Sequence, residues 1–175
     1  MIIWIDGANG VGKSLVAKKL AKFLADRNAE YVESDQYWTE FLQKDQNNIF
    51  VGFAPYYSQK FLGILRKVLE EKVYEGGKMP IVSVSLVDKL CEGELLDYFE
   101  KKNISMLHII LEAKKDTIIS RIDNDSIRDE STRGQQKYNV DWQMRYLNNK
   151  YPDAARINTE DKTLEQIVGE ILTLL

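Results

Sequence analysis

The sequence predicts an α/β protein built on a parallel sheet. Short apolar runs of strand length alternate with longer segments of helical period, the pattern of repeated βαβ units. A glycine-rich loop sits between the first apolar run and the first helical segment, where such folds place a phosphate site. The 175 residues suit one domain, long enough to bury roughly 70% of its unfolded surface in one core. With 44% hydrophobic and 29% charged residues, and only 3 Pro and 10 Gly, neither a disordered nor a fibrous chain fits.

Taken in order, the strand candidates are residues 2–6, 30–34, 80–85, 105–111 and, more weakly, 154–158. Val16, Leu20, Phe23 and Leu24 fall at helical spacing behind the glycine loop, and Leu62, Leu65, Leu69 and Val73 do so ahead of Gly76-Gly77. Leu90, Leu95 and Phe99 mark a third helix, and residues 117–122 a fourth. The last helix is the clearest: Thr163 and Gln166 form a capping-box pattern before Leu164, Ile167, Val168, Ile171 and Leu175. Its apolar stripe is expected to cover the sheet, since its polar side lacks the lysines and arginines of a membrane-surface helix. Residues 124–134 contain one apolar side chain in eleven and cannot build core, so a lid is expected there.

Charge and cysteine content narrow the partners. Lys and Arg number 24 against 27 Asp and Glu, a net charge of -3, which gives no electrostatic case for nucleic acid or an anionic membrane. The single cysteine, Cys91, excludes an internal disulfide framework and a Cys-based zinc cluster. No apolar run approaches 18 residues, and Met1 runs into the glycine loop within six residues, so neither membrane span nor signal peptide is expected. A cytoplasmic protein, monomer or homodimer, is the expectation.

The strongest motif is Gly7-Ala8-Asn9-Gly10-Val11-Gly12-Lys13-Ser14, a full match to the phosphate-binding P-loop in its expected strand-to-helix context. From average glycine usage, a chance match in such a chain has a probability of about 1% or less. Glycines let backbone N–H groups turn inward around a β-phosphate, and the following helix N-terminus adds partial positive charge. Lys13 is then placed to bridge β- and γ-phosphates, and Ser14 to offer its hydroxyl to Mg²⁺, which implies a nucleoside triphosphate. Gly7, Asn9, Gly10, Val11, Gly12, Lys13, Ser14 and Leu15 are the candidate nucleotide contacts.

Other parts choose among P-loop classes. Guanine specificity calls for Asn-Lys-X-Asp, and the nearest run, Asn149-Lys150-Tyr151-Pro152, has Pro in place of Asp. The third strand runs Ile81-Val82-Ser83-Val84-Ser85 and ends in serines, without the Asp of a Walker B strand. A mechanical ATPase needs more chain. Small-molecule or nucleotide kinases remain.

The opening Met1-Ile2-Ile3-Trp4-Ile5-Asp6-Gly7-Ala8, with Gly10 and Gly12-Lys13-Ser14, resembles that of the tunicamycin-resistance protein family, in the nucleoside-monophosphate-kinase-like group. Pro80 to Leu86 is similar to that family's third strand, and His108-Ile109-Ile110-Leu111-Glu112-Ala113, leading to Arg121, to its fourth strand and following helix. The resemblance implies a P-loop three-layer fold, with a five-stranded parallel sheet of order 2-3-1-4-5, helices on both faces and a small lid. It also implies ATP binding, Mg²⁺ and phosphoryl transfer. The likeness is weakest from Asp35 to Gly77, where such folds hold the acceptor, so it leaves the acceptor open.

Beyond the loop, Tyr31-Val32-Glu33-Ser34-Asp35 places two carboxylates at the sheet's carboxyl edge. Asp35 is the candidate base for an acceptor hydroxyl and, with Ser14, a candidate metal ligand; the competing reading is a helix cap. Glu33, read as the end of the strand, is the alternative contact to Mg²⁺ through water. Arg121 and Arg128 are seven apart, similar to the adenine-packing and lid arginines of shikimate-kinase-like proteins; Arg133 is a second lid candidate. His108, far from any Cys or second His that could share a metal, is read as packed and hydrogen-bonded, and Cys91 as core. Trp38, Phe41, Phe50, Phe53, Tyr56 and Tyr57 wall either an acceptor or a helix interface, and Arg66 is an anion contact or a solvated surface residue.

The leading reading is therefore an ATP-dependent kinase acting on a hydroxyl of a small molecule such as an antibiotic, sugar or other metabolite. A nucleoside or nucleotide kinase is the second. The loop looks like that of thymidylate kinases, but Ser83-Val84-Ser85 lacks the Asp-Arg pair of deoxynucleoside kinases. A non-catalytic ATP-dependent binding or resistance protein is the third.

Overall fold

The computed structural model describes residues 1–44, 59–85, 87 and 92–175. Five parallel strands form one sheet in the order β2-β3-β1-β4-β5: β1 (Ile2–Gly7), β2 (Ala29–Val32), β3 (Met79–Ser83), β4 (Met106–Glu112) and β5 (Ala155–Asn158). In register, Trp4 lies between Val82 and His108, and Ile5 between Ser83 and Ile109. β1 is central and fully buried along its length, as a strand covered on both faces must be. All five strands lie within two residues of their predicted limits.

Helices cover both faces, with a hydrophobic core on each. On one side α1 (Lys13–Phe23) and α7 (Leu164–Leu172) place Val16, Leu20, Ile167, Val168 and Ile171 against Ile3, Ile5 and Ile81. On the other, α3 (Gln59–Tyr74) and α4 (Asp97–Lys101) place Phe61, Leu62, Leu65, Leu69 and Phe99 against Trp4 and Val82. α2 (Ser34–Lys44) follows β2, and a π-helical turn at Glu92–Leu96 leads into α4. The capping box forms as expected, with Thr163 accepting from the Gln166 N–H and Gln166 Oε1 accepting from that of Thr163. The C-terminal helix is thus a core element. Among the described residues no helix is long and apolar enough to cross a membrane.

Four readings change. Phe23 shares the helical spacing of Leu20 and Leu24 yet is 62% exposed, because the buried stripe runs through Val16, Ala17, Leu20, Ala21 and Leu24 and Phe23 falls at its edge. Leu175 lies past the end of α7 and is exposed. The segment read as a lid over 124–134 is non-helical only through Asp129. That residue caps α6 (Glu130–Lys150) by accepting the Thr132 N–H, and five of the eleven residues join the helix. Finally, β2 ends at Val32, so Glu33 lies beyond the strand, and its carbonyl accepts the Gln36 N–H at the start of α2. Leu90, Cys91, Phe50, Phe53, Tyr56 and Tyr57 lie outside the described residues.

Candidate active site

The carboxyl ends of β1, β2 and β3 converge on the glycine loop. Gly7, Gly10 and Gly12 all have positive φ, of 141°, 78° and 107°, so the turn depends on glycine. At Gly10 the space is closed as well: a Cβ there would stand 2.5 Å from Ile122 Cγ1. Gly12 is the N-cap of α1 and has no side chain to cap it, leaving the first N–H groups of the helix toward the loop's concave side.

Neighbouring elements fasten the loop. Fully buried Asp6 accepts the Gly7 N–H at 2.7 Å on one oxygen and meets His108 Nε2 at 3.0 Å on the other. His108 also packs edge-on against Tyr151 at 4.9 Å, so it is packed and hydrogen-bonded as read from the sequence. Buried Ser85, just past β3, donates to the Gly7 carbonyl at 3.0 Å. Gln143 from α6 accepts the Asn9 N–H at 2.9 Å, a contact the sequence gives no sign of. Arg121, at the end of α5 (Lys115–Asp123), donates to the Val11 carbonyl at 3.2 Å and to the Thr159 hydroxyl and carbonyl at 2.9 Å each. It ties the loop to the segment after β5. Leu15, in the first turn of α1, is 66% exposed at the surface.

Lys13 folds back over the loop and donates to the Gly7 and Ala8 carbonyls at 2.9 and 3.0 Å. Burial lowers it from 10.5 to about 8; the charges of Asp6 and Asp35 oppose that shift and Arg128 adds to it. Lys13, Asp35 and Arg128, proposed from the sequence on separate grounds, therefore share one electrostatic neighbourhood. Asp35 is exposed and is the second residue of α2, so it is not that helix's N-cap. The preceding Ser34 is buried and donates to the Ser83 carbonyl at 3.1 Å, which fixes the start of α2 on the tip of β3.

Ser14 reaches β3, its hydroxyl 3.4 Å from Ser83 Oγ. Ser83 lies 3.0 Å from the Tyr31 hydroxyl, which donates to Glu33 at 2.9 Å, and Glu33 pairs with Lys18 of α1 at 2.7 Å. Burial pushes Tyr31 up to about 12, with the Glu33 hydrogen bond and charge adding to it, so its hydroxyl keeps its proton.

The remaining arginines separate. Arg128 pairs with Asp125 in its own loop, while Arg133 donates to the carbonyls of Asp125 and Arg128 and so holds that loop's shape. Arg66 stacks over Tyr98 at 4.4 Å, with Glu70 beside it, within the surface of α3 and α4. A cavity of ≈ 320 Å³ beyond Ala8, lined by Ile110, Ala113, Ile118, Met144 and Asn148 among others, includes none of Lys13, Ser14, Asp35 or Arg121. The chemistry gathers at the loop.

The chain aligns over 99% of its length, and 94% of the other chain, with the tunicamycin resistance protein of Deinococcus radiodurans, at a TM-score of 0.76 and 20% identity. The chain has the P-loop kinase-like fold. A sugar kinase from Janibacter sp. HTCC2649 aligns over 98% of this chain and 92% of its own, at a TM-score of 0.67 and 18% identity. A gluconokinase from Sinorhizobium meliloti 1021 aligns over 98% and 89%, at 0.62 and 16%. No family model matches the sequence, and no curated protein is significantly similar to it. Within this fold, the described site lies at the carboxyl edge of the sheet, beside the first strand.

Proposed function

We propose that the chain is an ATP-dependent kinase that moves the γ-phosphoryl group of ATP to a hydroxyl of a small molecule. The observation that carries this reading is the complete glycine loop with Lys13 held over it on the Gly7 and Ala8 carbonyls, where the charges of Asp35 and Arg128 reach its ammonium. A phosphate cradle alone binds nucleotide. A cradle flanked by a carboxylate and a second cation has what phosphoryl transfer needs. The fold shared with a sugar kinase and a gluconokinase supports a small hydroxylated acceptor.

In this reading the loop N–H groups of Gly10, Gly12, Lys13 and Ser14 hold the β-phosphate, and Lys13 turns from the Gly7 and Ala8 carbonyls to the β- and γ-phosphates. Arg121 supports the loop through the Val11 carbonyl and packs toward the base, and Leu15 is a further nucleotide contact. Asp35 orients the acceptor hydroxyl and takes its proton as the oxygen bonds to the γ-phosphorus. Arg128 swings in to neutralise charge on the transferred oxygens, and the ADP oxygen departs on the far side. Ser14 and Asp35 are oxygen donors suited to a hard cation, and no group of three His, Cys, Asp or Glu forms a metal cage among the described residues. That donor set fits Mg²⁺ held mainly by the phosphates, where it neutralises their charge.

A single-turnover assay with γ-labelled ATP over sugars, nucleosides and hydroxylated antibiotics tests the reading. Label should move to one compound class, and Asp35→Asn should slow that transfer by about 10² to 10⁴ while leaving ATP affinity intact. The non-catalytic reading draws on the serine at the tip of β3, where other P-loop proteins carry Asp. Tight ATP binding with no transfer to any acceptor would replace the kinase reading with that one.

A further inference from the structure

The tip of β3 offers Ser83 where a metal-positioning carboxylate is expected, yet Ser83 is not isolated. Four side chains from three elements run in a line: Ser14 of α1, Ser83 of β3, Tyr31 of β2 and Glu33 just beyond it, at 3.4, 3.0 and 2.9 Å. Lys18, one turn after Ser14, closes the line by pairing with Glu33 at 2.7 Å. A hydroxyl gives one proton and can receive on two lone pairs, so a chain of hydroxyls acquires a direction only from its ends. An ionised carboxylate can only accept. Tyr31 therefore gives its proton to Glu33, Ser83 gives its own to Tyr31, and Ser14 gives its own to Ser83.

We propose that Tyr31, Ser83 and Glu33 form a hydroxyl relay that turns the Ser14 proton away from the phosphate loop. With its proton directed to Ser83, Ser14 would keep its lone pairs free to hold Mg²⁺, and the relay would stand in for the missing carboxylate of β3. The proposal rests on the reading of the loop as an ATP and Mg²⁺ site. Tyr31 and Glu33 are positioning residues, since they act on the cation through Ser14 and touch neither nucleotide nor acceptor. Partners that orient a metal ligand typically change metal affinity by about 10- to 100-fold when removed.

Calorimetric titration of the full chain with ATP, in EDTA and across a range of Mg²⁺ concentrations, separates the possibilities without any acceptor. Wild type should bind ATP more tightly as Mg²⁺ rises. Tyr31→Phe should match wild type in EDTA but need about 10- to 100-fold more Mg²⁺ for half of that gain. Adding Ser83→Asp to it, which sets an acceptor directly beside Ser14, should restore the response. Thermal unfolding reports whether Tyr31→Phe is folded; where it is not, Glu33→Gln is read in the same way. A folded variant with the wild-type Mg²⁺ requirement would overturn the relay alone, as would a lost response that Ser83→Asp fails to restore. Wild type that binds no ATP would overturn the ATP reading and the relay with it.

Discussion

The glycine loop and the segment that carries Arg128 act on the same ammonium of Lys13 and are held in opposite ways. The loop is fastened from several elements at once: Asp6 from β1, Ser85 after β3, Arg121 from α5 and Gln143 from α6. Its turn also depends on glycine at Gly10, against Ile122. Residues 124–129 are held by bonds that stay local. Asp125 accepts the Ile127 N–H and the Arg128 guanidinium, Asn124 donates to the Ser120 carbonyl, and Arg133 reaches the carbonyls of Asp125 and Arg128. Ile127 is 93% exposed. A segment held by its own turn moves as a unit at small cost, whereas a loop bonded to four elements moves only if they do. In the proposed reaction the cradle is therefore preformed and Arg128 is brought to it.

That contrast predicts different consequences for changes in the two regions. On the proposed kinase reading, the larger effect is expected from the locally held segment: Arg128→Ala should lower kcat by about 10² to 10³, the usual loss of one donor to transition-state charge. Its unfolding temperature and ATP affinity should stay close to wild type. A clear drop in unfolding temperature would mean that Arg128 is part of the scaffold, and the contrast would fail. The smaller effect is expected from the fixed region, where Gly10→Ala should destabilise the fold by about 1–3 kcal/mol, through overpacking against Ile122 and a strained positive φ. Denaturant unfolding measures it, and a neutral result would show the loop to be as adaptable as residues 124–129.

The sequence made the sheet legible because each strand is a short apolar run bounded by polar turns, and strand limits came within two residues. The glycine loop was legible for a related reason: positive φ leaves its mark in residue type. The helix Glu130–Lys150 was not foreseen, and its packing explains why. Val140 and Met144 join one core while Trp142, Tyr146 and Leu147 join the other, so its apolar residues form no single stripe. Glu33 was read into β2 because Tyr31 and Val32 look like strand, but Ser34 bonds to the Ser83 carbonyl and starts a helix there. The bond between Gln143 and the Asn9 N–H had no signal, since it joins residues 134 apart in sequence. Ser83 was visible only as a departure from an expected Asp, and its hydrogen-bonded neighbours became apparent when β2 and β3 were paired.

The central claim is that the glycine loop binds ATP through the charge on Lys13, and the pH dependence of ATP affinity tests it most directly. Burial holds Lys13 near 8 in the free protein, and a bound triphosphate raises it by setting negative charge against the ammonium. Affinity measured by calorimetry in saturating Mg²⁺ should therefore be full below about pH 8. Above that it should fall by up to about tenfold per pH unit, as the free protein loses a proton that the complex keeps. Lys13→Ala should bind ATP weakly and show none of this dependence. ATP affinity that is flat across pH 7 to 9 in wild type, and equal in Lys13→Ala, would contradict the claim.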